Sequence, residues 1–233
     1  MKSLFFDTGP IISLTTTNLL HLLGKLKEHY DGNFFITKGV RYELIEKPLE
    51  TKKFKFEALQ VVRTIESGII GMFDDPQLAK NTEQLLNLAN GCFIARGQPI
   101  TIVQFAEINT LAGALLQGAE CVVIDERTTR LLVENPLRLV KMLKSKLHTR
   151  IDVDRKNLME FSKLAGGLKV IRSVELVAIG FELGLLGEYV THVSHPRRTL
   201  LESVLWAVKL QGCAVSDHEI EDLIKIEARR GAV

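Results

Sequence analysis

The chain has 233 residues, with 30 Lys and Arg against 28 Asp and Glu, and 46% of its residues are hydrophobic. This length fits one large domain, or one domain with an insertion, and the apolar fraction excludes a disordered chain. The net charge of +2 excludes a histone-like protein, so any affinity for nucleic acid must come from local patches.

The cysteines and the N-terminal sequence predict a soluble cytoplasmic protein. Cys92, Cys121 and Cys213 show no C-x-x-C spacing, and such a sparse, odd set is typical of a reducing compartment. Asp7 interrupts the apolar N-terminal run, which argues against a signal peptide. A stretch of about 18 uncharged apolar residues, as needed to cross a membrane, is absent from the sequence. We therefore expect no membrane partner.

Strand-length apolar segments alternate with amphipathic stretches in the first part of the chain. The opening strand stops at Gly9-Pro10, and Pro10 is well placed in the first turn of a helix. The elements predicted up to residue 89 are a strand at Lys2–Phe6, a helix at Ile11–Glu28, a strand at Asn33–Thr37, a helix at Lys38–Glu46 closed by Pro48, a helix over 52–68, a strand at Ile69–Phe73 and a helix at Pro76–Ala89.

The same alternation continues through the second part of the chain. A helix is predicted at Ile102–Gln117, a strand at Glu120–Asp125 and another strand at Leu168–Ile171, with the remainder helical. Strands that alternate with helices predict an α/β fold, in which helices cover both faces of a mainly parallel sheet.

Four acids are placed by this arrangement at or near one edge of the sheet. Asp7 and Asp125 directly follow strands, while Glu43 and Glu107 lie in the first turns of helices. Ligands of open parallel sheets bind at the carboxyl ends of the strands. Crowded carboxylates repel one another, and a hard divalent cation removes that penalty. The sequence therefore predicts a Mg²⁺ or Mn²⁺ site suited to phosphodiester chemistry.

The segments around these acids resemble the motifs of the PIN-domain superfamily of nuclease-like α/β domains. The closest branch is a prokaryotic one that begins Asp-Thr-Gly-Pro and is related to toxin ribonucleases. The similar segments, in chain order, are Leu4–Leu14 (LFFDTGPIISL), Phe35–Leu44 (FITKGVRYEL), Glu107–Ala119 (EINTLAGALLQGA), Ile124–Arg130 (IDERTTR) and Gln211–Asp217 (QGCAVSD). The resemblance covers about residues 1–135 and 168–226, with the motifs in the same order.

The resemblance implies a single PIN-like domain over residues 1–233 that hydrolyses single-stranded RNA with Mg²⁺ or Mn²⁺. Its catalytic and metal-binding residues would be Asp7, Glu43, Glu107 and Asp125, and the cation would activate the water that attacks phosphorus. The neighbouring polar residues that support them would be Thr8, Asn109 and Glu126, and the phosphate contacts would come from Arg127 and Arg130. A small antitoxin-like protein and a homodimer are the implied protein partners, although the chain is longer than such toxins usually are.

Two alternatives stay open at this point. Asp7 and Asp125 could cap the helices that follow them, because an Asp before the first turn satisfies free N–H groups. Asn109 and Val123 replace an acid and a hydroxyl residue that are frequent in the family, and Glu126 replaces the more usual Asp. These replacements favour a catalytically weak or inactive RNA-binding or scaffold protein as the alternative function.

Residues 135–167 have no counterpart in the short members of the family, and we interpret them as a basic helical insertion. Residues 138–156 carry seven basic and two acidic side chains, a local charge of +5. We expect Lys141, Lys144 and Lys146 to bind RNA phosphates. The alternative is the solvated face of an amphipathic helix, whose apolar stripe would consist of Leu139, Val140, Leu143 and Leu147.

Overall fold

The computed structural model describes residues 2–230, in which strands and helices alternate. The strands are β1 (Ser3–Phe6), β2 (Asn33–Thr37), β3 (Ile70–Phe73), β4 (Phe93–Ala95), β5 (Gln98–Pro99), β6 (Cys121–Val123), β7 (Ile151–Val153) and β8 (Lys169–Ile171). The α-helices are α1 (Thr8–Thr16), α2 (Leu22–Tyr30), α3 (Lys38–Arg41), α4 (Lys47–Leu49), α5 (Lys55–Glu66), α6 (Leu78–Gly91), α7 (Phe105–Gln117), α8 (Arg127–Glu134), α9 (Pro136–Leu147), α10 (Arg155–Ala165), α11 (Ser173–Glu182), α12 (Pro196–Leu210) and α13 (Asp217–Arg229). A π-helical turn at Tyr42–Glu46 joins α3 to α4, and a 3-10 turn lies at Gly187–Tyr189.

The central sheet has five strands in the order β3-β2-β1-β6-β8, and every neighbouring pair is parallel. The predicted α/β fold with a parallel sheet flanked by helices is therefore confirmed. Strand order reverses at β1, because β2 and β3 lie on one side of it while β6 and β8 lie on the other. Connections that leave β1 and β6 in different directions open a crevice between their carboxyl ends.

Apolar side chains cover both faces of the sheet, as a parallel sheet requires. Phe5 and Phe6, which are consecutive in β1, are both fully buried and point into different core clusters. Phe6 packs in the cluster to which α1, α2, α11 and α12 contribute, and Phe5 packs in the cluster of α6, α7, α9 and α10. Over residues 2–230, no helix is long and apolar enough to cross a membrane.

The predicted helix Ile11–Glu28 is wrong at its centre, where five residues separate the end of α1 from the start of α2. The hydroxyls of Thr15, Thr16 and Thr17 each donate to the carbonyl four residues earlier. Such bonds compete with the backbone ladder and weaken a helix. Asn18 then adopts a left-handed conformation, with φ of 60°, which ends the helical path.

Pro48 was also expected to close a helix, but the helical path continues through it to Leu49. The amide of Lys47 bonds to the carbonyl of Tyr42, five residues earlier, in the π-helical turn. This wider turn lies directly before the proline, whose ring would clash with the carbonyl four residues earlier in a regular α-helix. Glu43 lies within this π-helical turn.

A second sheet was not predicted from the sequence. Strands β5, β4 and β7 pair antiparallel, and β4 and β5 are joined at Arg96 and Gly97, which both have positive φ. Strand β7 lies within 135–167, so this segment is helix, strand and helix rather than helical throughout. The strands are two or three residues long, too short to show a period-2 pattern. Leu139 and Phe161 of the segment are buried in the same core cluster as Phe5.

Candidate functional site

The four acids singled out in the sequence line one pocket at the carboxyl edge of the central sheet. The pocket has a volume of about 290 Å³ and lies in the crevice where the strand order reverses. Its lining comprises Asp7, Thr8, Gly9, Glu43, Gln104, Ala106, Glu107, Asp125, Glu126 and Gly212. The tertiary structure thus brings together carboxylates that are as much as 118 residues apart in the chain.

Asp7 is the most perturbed of these acids. Its side chain is buried, and its Oδ1 atom has no hydrogen-bond partner among the residues that the structure describes. Burial raises the pKa of Asp7 to about 7, and the negative charges of Glu107 and Glu43 add to this rise. The nearby N–H groups of Thr8 and Gly9 oppose it only in part.

Asp7 precedes α1 without capping it. The backbone of Asp7 is extended at the N-cap position, but its side chain makes no hydrogen bond to the first turn of the helix. A capping Asp would have its oxygens occupied by N–H groups. The Asp7 carboxylate therefore interacts with the N–H groups of Thr8 and Gly9 without the geometry of a capping hydrogen bond.

Glu107 lies in the first turn of α7, and its Oε2 atom accepts two hydrogen bonds. The hydroxyl of Thr129 donates over 2.7 Å, and the amide of Gln104 donates over 3.1 Å. Burial raises the pKa of Glu107, these two bonds lower it, and the charges of Glu126 and Glu43 raise it further. Glu126 itself caps α8 by accepting the amide of Thr129 at 2.8 Å.

Glu43 lies in the π-helical turn and is fixed by Thr8. The Thr8 hydroxyl donates to Glu43 Oε2 over 2.8 Å. Because Thr8 is the first residue of α1, this bond connects the loop after β1 to the helical segment after β2. Thr8 therefore holds the side chain of one of the four acids in place.

Asp125 differs from the other three acids because both of its carboxylate oxygens are occupied. Ser173 donates its amide over 2.7 Å and its hydroxyl over 2.8 Å, and Ser13 donates its hydroxyl over 3.0 Å. The backbone carbonyl of Asp125 also accepts the amide of Ala214 at 3.1 Å. Asp125 thus joins α1, α11 and the loop before α13, and it binds the N-terminus of α11 rather than that of α8.

Asn109 is buried outside the pocket. Its Oδ1 atom accepts the amide of Gly39 at 3.2 Å, and its Nδ2 atom donates to the hydroxyl of Thr82 at 2.9 Å. A Cβ atom at Gly39 would lie only 3.0 Å from Oδ1, a tight contact, so this approach favours glycine. Asn109 therefore supports the start of the helical segment that carries Glu43 and does not line the pocket.

The predicted phosphate-binding cations differ in their accessibility. Arg127 is exposed at the start of α8, next to the pocket residue Glu126. Arg130 is half-buried, its Nε atom has no partner within the described part of the chain, and its nearest carboxylate is that of Glu134 at 3.8 Å. Burial lowers the pKa of Arg130, and the charge of Arg172 lowers it further. The remaining predicted cations, Lys141, Lys144 and Lys146, are exposed on α9.

An ion-pair network that the sequence analysis missed fixes the loop before α13. Arg172 is buried and donates to Glu175, to the carbonyl of Ala214 at 2.9 Å and to Glu219 at 3.0 Å. Burial opposes the charge of Arg172, but Glu175 and Glu219 raise its pKa overall. This network orders the loop that brings Gly212 to the pocket.

The hydroxyl residues that bind the acids were also not predicted from the sequence. Ser13 lies six residues after Asp7, within a segment that the resemblance covers, whereas Ser173 is separated from Asp125 by 48 residues and carries no local signal. The Ser-Asp pair near the C-terminus has a structural role. Ser216 caps α13 by accepting the amide of Glu219, and Asp217 forms an ion pair with Lys209.

The arrangement of the acids suits a divalent cation that keeps several water ligands better than a cation bound by protein ligands alone. Within residues 2–230, no three His, Cys, Asp or Glu side chains form a ready-made metal site. Mg²⁺ usually keeps several waters and binds through one or two carboxylates together with substrate phosphate. Asp7, with a buried oxygen that lacks a hydrogen-bond partner, could supply one such ligand, and Glu43 and Glu107 are close enough to perturb it electrostatically.

Comparisons of the chain with protein-family models, with curated proteins and with solved structures give no match in any of the three.

Proposed function

We propose that the protein is a Mg²⁺- or Mn²⁺-dependent endoribonuclease that hydrolyses phosphodiester bonds of single-stranded RNA. The observation that carries the proposal is the state of Asp7, which is buried in an acidic pocket with a raised pKa and an oxygen without a hydrogen bond. Such an arrangement is unfavourable without a cation. Perturbed acids in a pocket at the switch point of a parallel sheet are typical of a functional site.

The residues of the pocket would have different roles. Asp7 would bind the cation together with Glu43 or Glu107, while the hydroxyls of Thr8 and Thr129 hold those two glutamates in place. When bound, a divalent cation supplies charge neutralisation for the phosphodiester and lowers the pKa of water.

Other residues would hold the strand and the walls of the pocket. Asp125, fixed by Ser13 and Ser173, would keep the wall formed by β6 in position and add negative charge near the cation. Arg127 is exposed next to the pocket and would contact a phosphate of the RNA strand.

Cleavage of a labelled single-stranded RNA tests this proposal. The purified protein should cleave it with Mn²⁺ and fail to do so with EDTA, and Asp7→Asn should abolish the cleavage. Asp154→Asn is the matched control, because Asp154 caps α10 by accepting the amides of Lys156 and Asn157. Absence of Mn²⁺-dependent cleavage by the unaltered protein would refute the proposal.

A second candidate function is an RNA-binding or scaffold protein without catalysis. It is favoured by the hydrogen bonds that already occupy Glu43, Glu107 and Asp125, and by the absence of a three-ligand metal site among the described residues. This candidate predicts RNA binding without cleavage and no increase of the melting temperature with Mn²⁺.

The family resemblance also leads us to propose a cytoplasmic location, a small antitoxin-like partner and self-association. Analytical ultracentrifugation of the purified protein tests self-association. Co-expression with the product of an adjoining small reading frame tests the partner. We expect a dimer in the first experiment and a stable complex that suppresses RNA cleavage in the second.

A further inference from the structure

The segment from Lys52 to Phe56, between α4 and α5, exposes two aromatic rings among three lysines. Phe54 and Phe56 are 41% and 69% exposed, although large apolar side chains are usually buried. Lys52, Lys53 and Lys55 are exposed as well, and none of the three forms an ion pair with a described residue.

The backbone holds this segment in an unusual conformation. Phe54 has φ of 61° and ψ of 18°, a left-handed conformation that is rare for a bulky residue. The hydroxyl of Thr51 donates to the carbonyls of Pro48 and Lys53, and the carbonyl of Phe54 accepts the amide of Ala58. Strained residues of this kind cluster at functional sites, where the surroundings hold them in place.

One of the two exposed rings, that of Phe54, adjoins the candidate functional site. Phe54 and Glu43 line the same cavity of about 70 Å³, together with Leu44, Glu57 and Val61. Glu43 is also part of the acidic pocket. A strand whose phosphate lies at the acidic pocket could therefore reach the Phe54 ring with a neighbouring nucleotide, and Phe56 lies two residues further along the same segment.

The combination of rings and lysines favours one kind of ligand. Single-stranded nucleic acids bind through lysines that follow the phosphates and through aromatic rings on which unpaired bases stack. The ammonium group of Lys53 lies 4.6 Å from the centroid of the Phe54 ring, so charge and ring are presented together. An apolar protein partner would not need three lysines without ion pairs around the rings.

We propose that Lys52–Phe56 is a binding platform for the unpaired bases of a single RNA strand. Phe54 and Phe56 provide the stacking surfaces, and Lys52, Lys53 and Lys55 bind the phosphates. This inference rests on the proposed function for the identity of the ligand as RNA. It assigns to the segment the contacts with nucleotides that flank the cleaved bond.

Fluorescence anisotropy with a labelled single-stranded oligoadenylate, in EDTA, tests the platform without any cleavage. Phe56→Leu keeps an apolar side chain but removes the ring, and it should weaken binding by about 5-fold or more, whereas Phe56→Tyr should keep the affinity. Leu59→Ala is the matched control, because Leu59 is also a large exposed apolar residue of α5 but has no ring to stack; its variant should bind like the unaltered protein. An RNA duplex should bind more weakly than the single strand.

Three results would overturn the platform: no binding of the single strand by the unaltered protein, equal affinity of Phe56→Leu, or equal binding of the duplex. A protein-docking role would instead appear as dissociation of a dimer by Phe56→Leu with RNA affinity unchanged, and it would also overturn the inference. Failure of the proposed function is distinguishable, because an absence of Mn²⁺-dependent cleavage together with binding that depends on Phe56 refutes the nuclease and supports the platform.

Discussion

The amide of Asp7 donates a 3.0 Å hydrogen bond to the carbonyl of Val123. This bond extends the parallel pairing of β1 and β6 beyond Phe6, whose register partner is Val123. It holds Asp7 beside the strand that leads to Asp125, and so it fixes the backbone of an acid whose burial is electrostatically unfavourable. We therefore expect the free energy of unfolding to depend on pH through the buried Asp7 carboxylate.

Asp7→Asn should stabilise the metal-free protein at neutral pH. The pKa of Asp7 rises from 3.8 to about 7 in the folded state, so between these values the folded state binds more protons than the unfolded state. Stability should therefore fall as pH rises from about 4 to about 7, by up to about 4 kcal/mol from this group. In Asp7→Asn this loss should be absent, as measured by urea denaturation across that pH range. An unchanged pH profile would contradict the assigned state of Asp7.

Divalent cations should offset the destabilisation caused by the charged Asp7 side chain in the unaltered protein. A cation that binds only the folded state stabilises it by about 2.7 kcal/mol at a concentration of 100 times its dissociation constant. We expect Mn²⁺ to raise the melting temperature at pH 8, and to raise it less in Asp7→Asn. Ca²⁺-free buffer with EDTA gives the reference curve. Equal shifts in both proteins would place the binding of Mn²⁺ elsewhere.

Asp125 should contribute to both stability and cleavage. Asp125→Ala removes the acceptor of Ser13 and Ser173 and leaves buried donors unpaired, at about 1–3 kcal/mol for each such group. Asp125→Asn retains an acceptor oxygen and should lose less stability, but it should still abolish RNA cleavage because a charge of the pocket is gone. Full cleavage by Asp125→Asn would assign Asp125 a purely structural role.

The exposed lysines of α9 should bind RNA without reading its sequence. Changing Lys141, Lys144 and Lys146 together to Ala should weaken binding equally for different single strands. The slope of log affinity against log salt should flatten by about 2, which is what three phosphate contacts of a single strand contribute. The pair Lys80→Ala and Lys163→Ala, also on exposed helix surfaces, is the control. If both sets of variants behave alike, the lysines of α9 are only a solvated helix face.

Glu219 should make the protein sensitive to acid. Burial raises the pKa of Glu219, but the hydrogen bonds from Ser216 and the charge of Arg172 lower it to about 2 overall. Its stabilising contribution is therefore complete above the ordinary glutamate value of about 4.3 and is lost as pH falls toward 2. Glu219→Gln should be less stable than the unaltered protein at pH 6, with a difference that disappears near pH 2. Circular dichroism melting curves measure it.

The sequence correctly places the five strands of the central sheet because each is a short apolar run followed by a break. The acids after β1 and β6 could be assigned to one edge because parallel strands end at the same edge. That Asp7 and Asp125 also lie close together depends on β1 and β6 being neighbours, which the structure shows. The pattern of apolar residues mispredicted the helix boundaries in two places. One is Thr15–Thr17, where side chains bond to the backbone, and the other is Pro48, which follows a π-helical turn.

The class of fold and the acids that line the pocket could be predicted from the sequence, because both follow from local periodicity and from the parallel direction of neighbouring strands. The burial and the hydrogen bonds of each acid, in contrast, depend on the tertiary structure. Asp7 keeps an oxygen without a hydrogen-bond partner among residues 2–230, whereas Asp125 is bound by Ser13 and Ser173, which lie 112 and 48 residues away in the chain. Hydrogen bonds between such distant residues depend on how the helices pack on the sheet, and a linear pattern contains no information about that packing.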